Sequence, residues 1–207
     1  MRGRLLPSQF VRACQKYIGL ALICMPLVLH LASGASAVST VSAYYHTAAR
    51  TPFLWMLYLT AFLFFTYRPR RKRDLLVAFA AGCFVVGLAL FPLIGHVQLD
   101  PAEPCLLSLC HSPRSQPLHE WFGSLFGLAS LYLVTLSFPE KNAAHATQTH
   151  RRNVAYRWCA AVMVGGFIAM QLFGALGYEA QRIWPETLAL LGFAFAWVVK
   201  GQLIFAD

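Results

Sequence analysis

The sequence predicts an all-α fold: a polytopic membrane helix bundle of six transmembrane helices, one domain over residues 1–207, with both termini cytoplasmic. Three observations predict it. Hydrophobic residues make up 58% of the 207 and charged residues only 12%, a balance that suits lipid rather than water as the solvent. The apolar residues come in long runs, and crossing about 30 Å of hydrocarbon takes about 20 of them in a helix. The basic residues are also segregated. Fourteen of the 17 Lys and Arg fall on one side of the predicted topology, and only Arg50, Arg114 and Arg182 fall on the other. An excess of Lys and Arg marks cytoplasmic loops.

Six runs qualify in order: Tyr17–Val38, Pro52–Tyr67, Leu75–Ile94, Trp121–Phe138, Trp158–Leu176 and Thr187–Phe205. The first follows a basic start, "MRGRLLPSQFVRACQK", and ends in "ASGASA", a pattern shared by first spans and signal peptides. Cleavage near Ala37 is the alternative to an anchored first span; it leaves five spans and the other loops on their predicted sides. The second run is the shortest, with Arg50 at its outer end to reach the headgroups. "RPRRKRD" separates the second and third runs on the cytoplasmic side and also suits anionic headgroups. Gly123 and Gly127 in the fourth run form a G-x-x-x-G, which permits close helix approach; they are equally two ordinary membrane glycines. "PEKNAAHATQTHRRN" is predicted as a polar cytoplasmic loop before the fifth run. Tyr17, Tyr67, Tyr156 and Trp158 at inner ends, and Tyr44, Tyr45, Trp121, Tyr178 and Trp184 at outer ends, form the expected aromatic belts.

The net charge of +9 is accordingly a topology signal. No exposed face interleaves basic and aromatic residues, so nucleic acid is not expected as a partner. Membrane lipids are, together with a small amphiphilic ligand. No nucleotide loop, Cys-x-x-Cys or His-Glu-x-x-His occurs, and no cofactor or oligomeric state is indicated. Cys105 and Cys110 are the two cysteines in a loop assigned outside, and a disulfide between them is expected there. Free thiols, or three metal ligands with His111, are the competing readings; the metal reading lacks a fourth group.

Groups able to do chemistry near neutral pH gather on the outer side: His46, His96, His111, His119, Asp100, Glu103, Glu120, Glu179 and Glu186, beside Ser39, Ser42, Tyr44, Tyr45 and Arg50. Ionisable residues near membrane depth are costly and mark functional candidates. Ordinary explanations stand beside several of them. Glu186 follows Pro185, Glu120 follows Pro117 and Asp74 opens the third run, all positions where a carboxylate complements the positive end of a helix. Lys200 complements a carbonyl end. The tyrosines mark the interface. Arg50 calls for an anionic or carbonyl partner on a side that usually excludes basic residues. The expectation is that "SAYYHTAAR" folds back over the bundle mouth, with Arg50 facing Glu186 or Glu120 and His46 near His119. The binding candidates are Ser42, Tyr44, Tyr45, His46, Arg50, His96, His119, Glu120 and Glu186.

"SAYYHTAAR", "GLALFPL", "HEWFG", "RRNVAYRWC" and "PETLALLGFAFAWVVKG", in this order from about Val41 onward, resemble a family of small bacterial integral membrane proteins of unknown function. The resemblance implies a six-span protein of the inner membrane with no assigned activity. In that family an acidic residue usually follows the arginine matched by Arg50, and the fourth span usually opens His-Phe; Thr51 and Glu120 depart from this. A narrower similarity, to membrane hydrolases of the alkaline ceramidase type, rests on Ser42, His46 and His119, without a paired His-x-x-x-His in the last span.

Two functions from different classes are compatible with these residues. In one, the outer polar cluster binds a lipid headgroup, a small amphiphile or a partner protein. In the other, His46, His96 or His119 and a carboxylate hold a metal that activates water against a lipid amide or ester. The binding reading is the expected one, and the metal-dependent hydrolase is its alternative.

Overall fold

A computed structural model describes residues 8–93, 114–140 and 147–204. Six α-helices run through them: α1 (Ser8–Ala32), α2 (Arg50–Thr66), α3 (Lys72–Leu90), α4 (Ser115–Tyr132), α5 (Thr147–Ala175) and α6 (Ile183–Lys200). A 3-10 turn spans Val41–His46, a π-helical turn continues α4 over Leu133–Ser137, and a second 3-10 turn covers Glu179–Gln181. No strand occurs among the described residues.

Four segments are long and apolar enough to cross a membrane: Gln9–Ala32, Lys72–Leu90, Gln148–Ala175 and Glu179–Lys200. The two remaining helices miss for different reasons. α2 is strongly apolar but only 17 residues long. α4 has 18 residues, but its first two turns, "SQPLHE", are polar. The helices also overrun the apolar runs. α1 begins before Tyr17 and ends at Ala32, closed by Gly34 (φ 69°) and Ala35 (φ 59°), where the Ala35 amide donates to the His30 carbonyl. α5 begins at Thr147, so "TQTHRRN" is helix rather than the predicted loop. A polar stretch extends a helix readily once the apolar part has nucleated it, because each added residue gains one backbone hydrogen bond.

The helices pack as a ring in which α1 touches α2 and α6, α2 touches α3, α3 touches α4, and α5 lies against α6. α4 and α5 barely meet, and the π-helical turn makes most of the contact across that seam. A cavity of about 220 Å³ opens there between Phe126, Gly127, Ser130, Met163, Phe167 and Phe193. A larger apolar groove of about 690 Å³ runs between α5, α6 and Ile23 of α1, lined by Trp158, Val162, Leu191 and Phe195, with His150 and Arg151 at one end. Large apolar side chains such as Leu27, Trp55, Leu76, Leu128, Trp158 and Trp184 are exposed around the outside, the surface a lipid-facing bundle presents.

The closest helix approach is not at the G-x-x-x-G. A Cβ on Gly123 meets only Leu88 at 3.7 Å, and one on Gly127 meets nothing within 4 Å. One tight crossing is at Gly166, where an added Cβ would stand 2.6 Å from the Pro185 carbonyl oxygen, so α5 and α6 come together backbone to backbone; another is at the end of α6, where a Cβ on Gly201 would stand 2.5 Å from the Lys16 backbone nitrogen of α1.

The interior is aromatic towards one end. Phe64, Tyr67, Phe126, Phe138, Tyr156, Phe193 and Trp197 interlock mostly edge to face, with centroids 4.9 Å apart for Phe138 and Trp197. Such contacts contribute about 0.5–1.5 kcal/mol each beyond the area they bury. At this end the Tyr132 hydroxyl donates to buried Asp74 at 3.0 Å, and the Lys200 ammonium donates to the Phe138 carbonyl at 3.2 Å. Lys200 thus completes the end of the π-helical turn, as cations do at carbonyl-rich helix ends. Arg12, Lys16, Arg68, Arg73 and Arg152 belong to the same end.

Candidate functional site

The opposite end of the ring holds the polar residues, and the 3-10 turn Val41–His46 organises them. The turn is too short to satisfy its own backbone and side chains, and it lies against the starts of α4 and α6 and the end of α3. Three bonds fix it. The Val41 amide donates to Glu186 Oε2 at 2.8 Å, tying the turn to α6. Ser42 Oγ lies 2.9 Å from His119 Nε2, tying it to α4. His46 Nε2 lies 2.6 Å from the Leu93 carbonyl oxygen, tying it to the chain leaving α3. The expected position of "SAYYHTAAR", across the mouth of the bundle, is where the turn lies.

A carbonyl partner fixes one proton on each imidazole, because a carbonyl oxygen only accepts. His119 Nδ1 is 2.7 Å from the Phe91 carbonyl, so Nδ1 carries the proton and donates. In the neutral ring Nε2 is then a lone pair, and the Ser42 hydroxyl donates to it. His119 is only 7% exposed, and its burial lowers its pKa, with the Phe91 bond and the Glu120 charge opposing and His46 adding to the shift. Burial thus disfavours the charged form of the ring. For His46, Nε2 donates to Leu93, and in the neutral ring Nδ1 is an acceptor; Nδ1 is buried with no hydrogen-bond partner among the described residues, as is Thr40 Oγ1 at the head of the turn. Buried polar atoms without partners are uncommon and each calls for a cause.

Arg50 departs from the expected pairing. Its guanidinium lies 4.4 Å from the centre of the Tyr45 ring and donates to the Tyr45 hydroxyl at 2.5 Å. Neither Glu186 nor Glu120 forms an ion pair with it among the described residues. Glu186 is occupied by the Val41 amide, and Glu120 accepts from Gln116 at 3.3 Å on an exposed face. The physical reason is local. Arg50 is the first residue of α2 and Tyr45 lies five residues before it, so the aromatic face is within reach without ordering a distant side chain. Tyr44 and Tyr45 are buried under the turn rather than standing at the interface, and burial raises the Tyr44 pKa.

His96 and the proposed Cys105–Cys110 disulfide lie outside the described residues, as does His111. Among the described residues no three of His, Cys, Asp and Glu converge as a set of metal ligands. Ser115 was not singled out from the sequence, yet it is fully buried and donates to the Pro92 carbonyl at 3.0 Å, anchoring the start of α4 beside the Phe91–His119 bond. Its only signal was its place two residues before Pro117 at a helix start.

The arrangement can donate and accept hydrogen bonds at neutral pH, and it presents one serine hydroxyl already hydrogen-bonded to a neutral imidazole. No family model, curated protein or solved structure matches the chain, so the site is read from its own geometry.

Proposed function

We propose that this chain is a six-span protein of a bacterial inner membrane, both termini cytoplasmic, that binds the polar headgroup of an amphiphile at the outer end of the bundle. The bacterial setting rests on the family resemblance. The up-and-down order of the helices and the gathering of basic residues at the Lys200 end support the topology. α2 completes its crossing by local thinning of the bilayer, and α4 through the π-helical turn that carries it to Ser137.

The observation that carries the binding reading is the buried acceptor at His46 Nδ1, with Thr40 Oγ1 in the same strand of chain. Leaving such atoms unmatched costs about 1–3 kcal/mol each. A headgroup bearing O–H or N–H donors matches the lone pair that the neutral His46 ring leaves unpartnered among the described residues. Phosphatidylethanolamine and phosphatidylglycerol have such donors, whereas the quaternary ammonium of phosphatidylcholine has none.

The test is thermal unfolding of the full chain in detergent, titrated with each of these lipids. The expected result is an upward shift with the ethanolamine and glycerol lipids, little shift with the choline lipid, and loss of that difference in His46→Phe. Equal shifts for all three lipids, or a difference that survives His46→Phe, would overturn the assignment.

A further inference from the structure

We propose that Ser42 and His119 form a nucleophile–base pair that hydrolyses acyl esters at the outer end of the bundle. Three observations converge on this pair. The Ser42 hydroxyl is 2.9 Å from His119 Nε2, within the distance over which a base takes the proton of a nucleophile. The far side of the ring, Nδ1, is held at 2.7 Å by the Phe91 carbonyl, which fixes the tautomer that leaves Nε2 unprotonated towards the serine. Ser42 itself is only half-buried, while the imidazole behind it is buried. A half-buried hydroxyl backed by a more deeply enclosed base is the order in which an acyl group meets a nucleophile and then the acceptor of its proton.

The Phe91 carbonyl takes the place that a carboxylate holds in Ser-His-Asp sites. It orients the ring and stabilises the imidazolium by a dipole rather than a full charge. Phe91 is therefore a positioning residue, and Ser115, bonded to the neighbouring Pro92 carbonyl, fixes the same stretch of chain.

The chemistry balances without a metal or a redox partner. Ser42 Oγ forms a bond to the acyl carbon as its proton passes to His119 Nε2. The ester C–O bond breaks, and the leaving alkoxide takes that proton and departs as an alcohol. Water then attacks the acyl-serine ester, again giving a proton to Nε2. The Ser42–acyl bond breaks, the carboxylic acid is released, and the serine oxygen recovers its proton from His119. The substrate class, an acyl ester of an amphiphile, rests on the headgroup-binding reading; the nucleophile and base do not.

A fluorophosphonate carrying an alkyl chain tests the pair directly, because it reacts with an activated serine by forming an O–P bond and expelling fluoride. The full-length protein in detergent is treated with the probe, and the modified peptide is identified by mass spectrometry. The expected result is labelling at Ser42, none at residue 42 in Ser42→Ala, and labelling at least about a hundredfold slower in His119→Gln, the loss that removal of a general base produces. Thermal unfolding of each variant shows that it is folded. Where His119→Gln is not, Ser115→Ala provides the second measurement: it loosens the positioning of Phe91 and is expected to slow labelling while leaving Ser42 and His119 in place. Absence of label at Ser42 in the folded wild-type protein overturns the proposal, as does labelling whose rate is unchanged in both variants. Lipid-dependent thermal shifts without labelling would leave the binding reading standing and remove the hydrolase. Labelling without those shifts would do the reverse for the substrate class.

Discussion

His119 carries the heaviest load of any single side chain in the polar layer, since both its nitrogens are committed to different elements. Removing the ring in His119→Ala leaves the Phe91 carbonyl and the Ser42 hydroxyl short of partners in a partly buried place. A loss of about 1–3 kcal/mol is expected for each group left unsatisfied, read as a lower midpoint of unfolding in detergent. In a cycle with Ser42→Ala, the double variant should lose less than the sum of the single ones, because the Ser42–His119 bond is counted in both. The same residue sets a pH dependence. Its folded pKa is depressed below the unfolded value, chiefly by burial, so the unfolded chain takes up the proton first as pH falls. Its contribution is thus fully present above about pH 6.5 and is lost as pH drops through that value towards the folded pKa. The groups facing the ring are His46 and Glu120, whose charges act in opposite directions. The difference in melting temperature between pH 7.5 and 5.5 should therefore be smaller in His119→Gln than in the wild type; an undiminished difference would mean another group sets the slope.

Helix pairs in this chain differ in what holds them. α5 and α6 depend on a glycine at one crossing, since any Cβ at residue 166 would meet the Pro185 carbonyl, a backbone atom that cannot swing aside. Gly166→Ala should push the two helices apart at a cost of about 1–3 kcal/mol, the range for overpacking. Gly127→Ala places its Cβ in open space and should be neutral or stabilising, by up to about 1 kcal/mol from helix propensity alone. Comparing the two unfolding midpoints checks both at once. Of the two readings of the G-x-x-x-G, the structure favours ordinary membrane glycines, and motif spacing could not choose because it states only which residues share a face of one helix. It does not state whether another helix lies opposite. At the α4–α5 seam beside Gly127 the two helices barely touch and an apolar cavity opens between them.

Across the whole molecule, the helices alternate direction so that polar groups of the 3-10 turn meet Phe91, Leu93, His119 and Glu186 at one end, and basic residues collect at the other. The proposed orientation in the membrane rests on that charge asymmetry. In a cysteine-free background, single cysteines at residues 71 and 148 should resist a membrane-impermeant thiol reagent applied from outside, whereas one at residue 178 should react. Reaction from outside at residue 71 would reverse the topology. The helices were legible in sequence, because apolar run length is a property of each segment against lipid and water; the sides assigned from charge bias are what the labelling tests. That the polar stretch "SAYYHTAAR" lies at one end of the bundle was legible too, since it falls between two apolar helices. Which polar atoms meet was not. Arg50 had Glu120, Glu186 and an aromatic ring to choose among, and of these three the path of the chain from Tyr45 into α2 brings it to the ring. The carbonyls of Phe91 and Leu93 carry no side-chain signature at all, yet they set the tautomers of both imidazoles. By itself the sequence determined the helices, their polarity and the layer where the reactive groups gather, because hydrophobic transfer and charge exclusion act on local composition. Tertiary structure alone decided that Ser42 faces His119 and that Glu186 holds a backbone amide, because hydrogen bonds between elements depend on angles and distances that spacing along the chain does not encode.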